Sequence, residues 1–172
     1  MLYINHYQSP LGAMTMSSNG EALTGLWFDC SQQNSSFLQG AKREKTNNFS
    51  TLFDESEEWL DIYFSGKAPN FMPSISLDGT EFQETVWNIL LSIPYGEIIT
   101  YGQIADKIVK ERGLERMSAQ AVGGAVSYNP IALIIPCHRV VGKNNNLTGY
   151  AGGLEKKIEL LKLEGVDTRG MY

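Results

Sequence analysis

Apolar and polar positions alternate along the first third of the chain, and the period then lengthens. Leu2–Tyr7, Ala13–Ser17 and Ala22–Phe28 are short runs at a period near two, which predicts strands. Between them lie Ser9-Pro10-Leu11-Gly12 and Ser18-Asn19-Gly20, both turn sequences and the second a strong hairpin signal. An antiparallel sheet follows. Residues 31–50 are rich in Ser, Gln, Asn and Lys with little periodicity, and read as a surface loop. Asp54 then reads as the cap of a helix whose apolar face includes Trp59, Leu60, Tyr63 and Phe64. Ser65-Gly66-Lys67-Ala68-Pro69 ends that helix, and the stretch to Gly79 reads as a linker.

The rest is mainly helical. Thr80 with Gln83 forms a capping-box pattern, followed by Phe82, Val86, Ile89 and Leu90 on one face, until Pro94 stops the helix. Thr100 with Gln103 repeats the pattern and opens a helix to about Val109, with a loop over 110–117. Ser118 can cap Ala119–Ser127, so two short helices with a compact connection suggest a helix-turn-helix. The apolar run Ile131–Ile135 predicts a buried extended segment that Pro136 terminates. Leu154, Ile158 and Leu161 predict an amphipathic helix ending at Glu164, with Gly165 as its C-cap. The expected fold is an α/β N-terminal lobe with an antiparallel sheet (residues 1–78) and a mainly helical C-terminal lobe (residues 79–172).

Composition narrows the class. The chain has 172 residues and 42% hydrophobic content, enough for a real core in one domain or two small ones. Its first residues lack a basic n-region and a long apolar stretch, and no run approaches membrane-spanning length. A cytoplasmic, reducing compartment is expected, where a thiol survives. With two cysteines (Cys30, Cys137) and two histidines (His6, His138), a structural zinc site is not expected, nor is any cofactor. The net charge of −5 argues against nucleic acid at first, but it is unevenly spread. Residues 1–80 hold four Lys/Arg against nine Asp/Glu, whereas residues 81–172 hold ten of each. Lys107, Lys110, Arg112 and Arg116 cluster there, a local basic edge compatible with a helix end or with DNA.

The candidate chemistry lies in Pro136-Cys137-His138-Arg139-Val140. A cysteine thiol, with a pKa of about 8.5, is mostly protonated at neutral pH, and histidine is the side chain suited to take its proton. In an extended chain neighbouring side chains point to opposite faces, so a water bridge between Cys137 and His138 is expected rather than a direct bond. A buried cysteine is more often inert packing, so the dipeptide alone decides little.

Its surroundings decide more. Pro136–Val140, preceded by Asn129-Pro130 and followed by Thr148-Gly149-Tyr150-Ala151-Gly152-Gly153, resembles the active-site signature of the O6-alkylguanine-DNA alkyltransferases, from about Gly79 to Gly165. The resemblance implies direct-reversal repair: single-turnover alkyl transfer from O6-alkylguanine, and possibly O4-alkylthymine, in double-stranded DNA to Cys137, by a monomer without a membrane or cofactor. It implies His138 as the water-bridged base and Glu164 as its partner. Asn129 would brace the turn before the active-site segment, and Tyr101 would donate a hydrogen bond to the flipped base. Arg139 would anchor the site, Val140 would wall the pocket, and Tyr150, Ala151 and Gly152 would form the loop over the base. Gln120, Ala121, Gly123 and Gly124 would face DNA, the helix entering the minor groove.

Two positions depart from the family pattern. Gln120 stands where an arginine commonly fills the gap left by the extruded base, and Ala151 stands where some relatives carry a serine. The rival readings are a cysteine hydrolase, a non-catalytic alkyl-lesion sensor and a plain helix-turn-helix regulator. Cys137 argues against the sensor, whose known examples lack the acceptor cysteine.

Overall fold

A computed structural model describes residues 2–31 and 50–172. The stretch read as a surface loop, from residue 32 to 49, lies outside the described residues. By packing, the chain divides into two units: Met1–Asp78 together with Pro130–Ala132, and Gly79–Asn129 together with Leu133–Tyr172.

The first unit is built on a three-stranded antiparallel sheet, β1 (Tyr3–Ser9), β2 (Gly12–Ser18) and β3 (Leu23–Phe28), in the order β1-β2-β3. Register runs from Tyr3 opposite Ser18 to Ser9 opposite Gly12, and a bulge at Ser17/Ser18 shifts the β2–β3 pairing. In β2, Met14, Thr15, Met16 and Ser17 are all buried, so both faces of this central strand are covered. Its polar members are satisfied: Thr15 donates to Asp29 (2.6 Å), and Ser17 and Thr24 share a hydroxyl bond (3.0 Å). The outer edge of β3 is also occupied. Leu23 pairs with Ser74 and Ser76, and Leu26 with Pro130 and Ala132, which blunts that edge at two points.

Helix α1 (Ser50–Phe64) packs on β1, where Tyr7 donates to Asp61 (2.6 Å) and Asn5 to Glu57 (2.8 Å). Its expected cap, Asp54, is inside the helix rather than at its start. Leu52 and Phe53 are half-buried and Ser56 is buried, so the stripe of Trp59, Leu60 and Tyr63 extends one turn further upstream. A continuous buried stripe outweighs a capping preference worth about 1 kcal/mol.

The second unit is mainly helical. Helix α2 (Glu81–Leu91) begins with a complete capping box at Thr80 and Gln83 and buries Val86, Trp87, Ile89 and Leu90. Helix α3 (Tyr101–Arg112) begins with a second box at Thr100 and Gln103. It runs three residues past the expected Val109, because Gly113 in the left-handed region (φ 65°) supplies the stop. Helix α4 (Ala119–Ser127) is capped by Ser118, whose hydroxyl accepts from Gln120 and Ala121. It packs against α3 and α2, and Trp87 Nε1 donates to the Ala125 carbonyl (3.0 Å). Two-residue strands β4 (Ile99–Thr100) and β5 (Val140–Val141) pair in parallel, setting the start of α3 beside the segment that follows Cys137. The last helix, α5 (Leu154–Leu163), ends at Gly165 (φ 81°), where Gly165 and Val166 donate to Lys162 and Leu161.

Two expectations about the 131–140 segment need correction. Ile131 and Ala132 are extended, but Leu133 and Ile134 form a turn, with Leu133 at φ 69°. A left-handed residue without glycine costs about 1–2 kcal/mol, and full burial of a leucine returns about 1.5–3 kcal/mol. Leu133 is 1% exposed, so burial carries the strain. Cys137–Arg139 is a single 3₁₀ turn, not an extended edge. Leu154 is also largely exposed; the buried stripe of α5 is Lys157, Leu160 and Leu161, continued by Glu164.

Candidate active site

The Cys137 turn brings a thiol, an imidazole and a guanidinium into three consecutive, buried positions. Adjacent residues of a 3₁₀ turn diverge by about a third of a revolution, so Cys137 and His138 address different neighbours. His138 is fully buried, and its Nε2 contacts Glu164 Oε2 at the end of α5. The other carboxylate oxygen, Oε1, accepts from Arg139 Nε (2.7 Å) and from the Gly96 backbone N–H (2.9 Å). Arg139 also donates to the Ile93 carbonyl (2.7 Å) and lies over the Tyr95 ring, 5.8 Å from its centroid.

Glu164 is therefore a carboxylate with three donors. Burial alone would raise its pKa, but His138 and Arg139 hold it down at about 2. A carboxylate only accepts, so His138 Nε2 carries its proton toward Glu164. In the neutral ring Nδ1 then holds the lone pair. Burial pushes the His138 pKa down, favouring the uncharged ring, while the Glu164 carboxylate pulls it back up.

The thiol has its own surroundings. Burial raises the Cys137 pKa, while the Asn129 amide and the Lys157 ammonium favour the thiolate. Asn129, buried just after α4, donates from Nδ2 to the Ile135 carbonyl (2.7 Å) and so closes the chain excursion before the cysteine. Lys157 is completely buried. Its ammonium donates to the carbonyls of Val140 (2.6 Å), Leu147 (2.5 Å) and Gly149 (3.2 Å), pinning both ends of the intervening loop. Burial lowers its pKa to about 8, and the nearby Cys137 opposes that shift.

Tyr101 opens α3, half-buried, with its hydroxyl 3.0 Å from Thr148 Oγ1. Its ring faces Gly123, where an added Cβ would sit 3.7 Å from the ring edge, an ordinary contact. On α4, Val122, Ala125 and Val126 face inward, while Gln120, Ala121 and Gly124 are exposed. A cleft of about 700 Å³ lies here, lined among others by Tyr101, Gln120, Gly123, Gly142, Lys143 and Asn144. Val140 is buried directly after the 3₁₀ turn. Tyr150 and Gly152 are half-buried and Ala151 is exposed, in the turn that precedes α5.

Thus Cys137, His138, Arg139, Val140, Asn129 and Glu164 converge on one buried centre. Tyr101, Gly123 and Gln120 line the 700 Å³ cleft, whose walls come from α3, α4 and residues 142–144 rather than from the Cys137 turn, and Ala121 and Gly124 lie on the outer face of α4. Sequence reasoning overlooked Lys157 and Gly96, and it quoted Thr148 in the signature without giving it a role. Lys157 did leave a signal, a lysine at i−3, i−4 and i−7 of Leu160, Leu161 and Glu164, in the register of the buried stripe.

Comparison with known proteins assigns the family. The family model for the "6-O-methylguanine DNA methyltransferase, DNA binding domain" matches residues 81–166, and that for its "ribonuclease-like domain" matches residues 2–78. The chain belongs to the 6-O-methylguanine DNA methyltransferase family. A methylated-DNA–protein-cysteine methyltransferase of Methanosarcina acetivorans is 39% identical over 95% of this chain and 99% of its own length. One from Haemophilus influenzae is 38% identical over 96% of this chain and 87% of its own. Among solved structures, Mycobacterium tuberculosis OGT in complex with DNA superposes with a TM-score of 0.81 at 40% identity, covering 95% of this chain and 93% of that one. As a 6-O-methylguanine DNA methyltransferase family member, the chain carries an α/β sheet unit ahead of a helical unit that holds the cysteine. Among the described residues no helix is long and apolar enough to cross a membrane, and no group of three or more His, Cys, Asp or Glu is placed to hold a metal.

Proposed function

We propose that this protein repairs O6-alkylguanine in double-stranded DNA by moving the alkyl group to Cys137, once per molecule. The observation that carries this reading is the buried Cys137–His138–Glu164 centre, an imidazole bonded to a carboxylate next in the chain to a thiol on which a buried lysine cation acts electrostatically. Methylated DNA is also the substrate named for its relatives.

The small outer face of α4, with Gln120, Ala121 and Gly124, lets the helix backbone come close to a DNA groove, and the target base is flipped out to reach a buried thiol. Tyr101 donates to the flipped base; Val140 and the Tyr150–Gly152 turn enclose it. A water passes the Cys137 proton to His138 Nδ1, and Glu164 stabilises the imidazolium. The thiolate, favoured by Lys157 and Asn129, attacks the alkyl carbon. An S–C bond forms, the C–O6 bond breaks, and its electron pair leaves with guanine, which regains a proton from the relay. The thioether has no good leaving group, so the protein is spent. We read it as a cytoplasmic monomer whose cysteines work in a reducing compartment.

Incubation with a duplex carrying O6-methylguanine, followed by intact-mass measurement, tests this. The expected product gains the mass of one methylene, mapped to the peptide holding Cys137. Turnover without mass gain would replace transfer by hydrolysis, and lesion binding without mass gain would leave a sensor.

A further inference from the structure

Thr148 is a β-branched residue in the left-handed region (φ 58°), a conformation few such residues adopt. Four contacts hold it there. Its N–H donates to the Asn146 side chain (2.9 Å), and its hydroxyl donates to the Leu147 carbonyl (2.6 Å). The same oxygen lies 3.0 Å from the Tyr101 hydroxyl, and its methyl occupies the place a Cβ on Gly142 would need, 2.6 Å away. Strained residues fixed from several sides collect at working sites.

The direction of each proton follows from the acceptors. The Leu147 carbonyl can only accept, so the Thr148 hydrogen points to it, and Tyr101 donates its own hydrogen to Thr148 Oγ1. In the resting protein the hydroxyl assigned to the flipped base is thus committed elsewhere. Leu147 O has a second donor, Lys157 Nζ (2.5 Å), so it stays satisfied if Thr148 turns away.

We propose that Thr148 is a positioning residue for Tyr101: when a flipped base takes the Tyr101 hydrogen, the Thr148 hydroxyl rotates to donate to the Tyr101 oxygen. The chain Thr148 O–H to Tyr101 O–H to the base then polarises in one sense, which strengthens the terminal donor. Burial raises the Tyr101 phenol above its ordinary value, and its hydrogen bond with Thr148 acts in the opposite direction. The bond crosses from the first turn of α3 to the loop that Lys157 pins, so it also sets the reach of the Tyr101 hydroxyl. This inference rests on the proposed role of Tyr101 as donor to the base.

The test is single-turnover transfer on saturating O6-methylguanine duplex, with affinity for lesion-free duplex measured alongside. Thr148→Gly removes the hydroxyl and relaxes the backbone; Thr148→Val removes the hydroxyl but keeps the branch; Thr148→Ser keeps the hydroxyl. Gly and Val variants should be slower by about three- to tenfold, the rate equivalent of one ordinary hydrogen bond. Thr148→Ser should stay near wild type, and DNA affinity should not change. In a Tyr101→Phe background, Thr148→Gly should add no further loss. A wild-type rate for Thr148→Gly with a slow Tyr101→Phe overturns the proposal, as does an equal loss in both backgrounds. A wild-type rate for Tyr101→Phe overturns the reading beneath it, and this proposal with it.

Discussion

Each of the two units holds one cysteine and one histidine, and the two pairs have opposite surroundings. In the sheet unit His6 is exposed on β1, with Nδ1 3.2 Å from Thr15 Oγ1, whose hydroxyl hydrogen goes to Asp29. Cys30 follows Asp29 and is exposed. In the helical unit His138 and Cys137 are both buried; His138 meets the Glu164 carboxylate directly, and the Lys157 cation acts electrostatically on Cys137. The residue inventory is the same. What differs is that burial removes water, so a carboxylate, a guanidinium and an ammonium act on the second pair with little screening. Exposure makes Cys30 accessible, but a relay and a nearby cation are what make a thiol a selective nucleophile.

The comparison breaks first if the wrong thiol reacts. Cys137→Ser should abolish methyl transfer in the intact-mass assay while retaining lesion binding, and Cys30→Ser should transfer at the wild-type rate. Methylation of the Cys30 peptide in either protein would invert the contrast.

Glu164→Gln keeps the shape of the relay and removes its charge. Single-turnover transfer should fall by about 10²–10⁴-fold, the range for positioned acid–base catalysis, with a smaller loss of binding. The same variant sharpens a pH argument. Glu164 has its folded pKa depressed to about 2 from an ordinary 4.5, so its contribution to stability is fully present above 4.5 and is lost as pH falls toward 2. In acid titration by circular dichroism, Glu164→Gln should show a shallower loss of stability across that window. An unchanged slope would mean that the unfolded state holds the carboxyl equally well.

Lys157→Met should weaken both chemistry and loop order. It removes the cation that favours the thiolate and takes a donor from the Val140 and Gly149 carbonyls, at about 1–3 kcal/mol for each one left unsatisfied, while Leu147 keeps the Thr148 hydroxyl. A lower melting temperature together with slower transfer is expected. The wild-type lysine, depressed to about 8 from 10.5, binds a proton more readily when unfolded, so it makes stability rise with pH between those values. The variant should lack that rise.

The smallest effect is expected at the DNA face. Gln120 is exposed on α4, and Gln120→Arg adds one cation there. Duplex binding should tighten, and its salt dependence should steepen by about one counterion-release unit. Transfer should gain on duplex and little on single strands, which pay little to unstack a base. Equal effects on both would place residue 120 outside the DNA gap.

The sequence by itself determined what depends on residues three or four apart. Both capping boxes, the Ser118 cap, the two hairpin turns and the glycine after α5 are readable because donor and acceptor lie within one turn of chain. It determined the adjacency of Cys137 and His138 for the same reason, and the resemblance supplied Glu164. Tertiary structure alone decided the rest. Leu133 turns left-handed directly after Ala132 bonds to Leu26, a long-range pairing that nothing near Leu133 encodes. Gly96 and Arg139 meet Glu164, Thr148 meets Tyr101, and a lysine enters a buried stripe because three carbonyls await it. Each of these bonds joins groups distant in sequence. Local preference is worth tenths of a kcal/mol per residue, whereas a buried charge or carbonyl left unpaired costs several times more. Where the two compete, the folded packing prevails, and the short-range pattern of the chain does not record its demands.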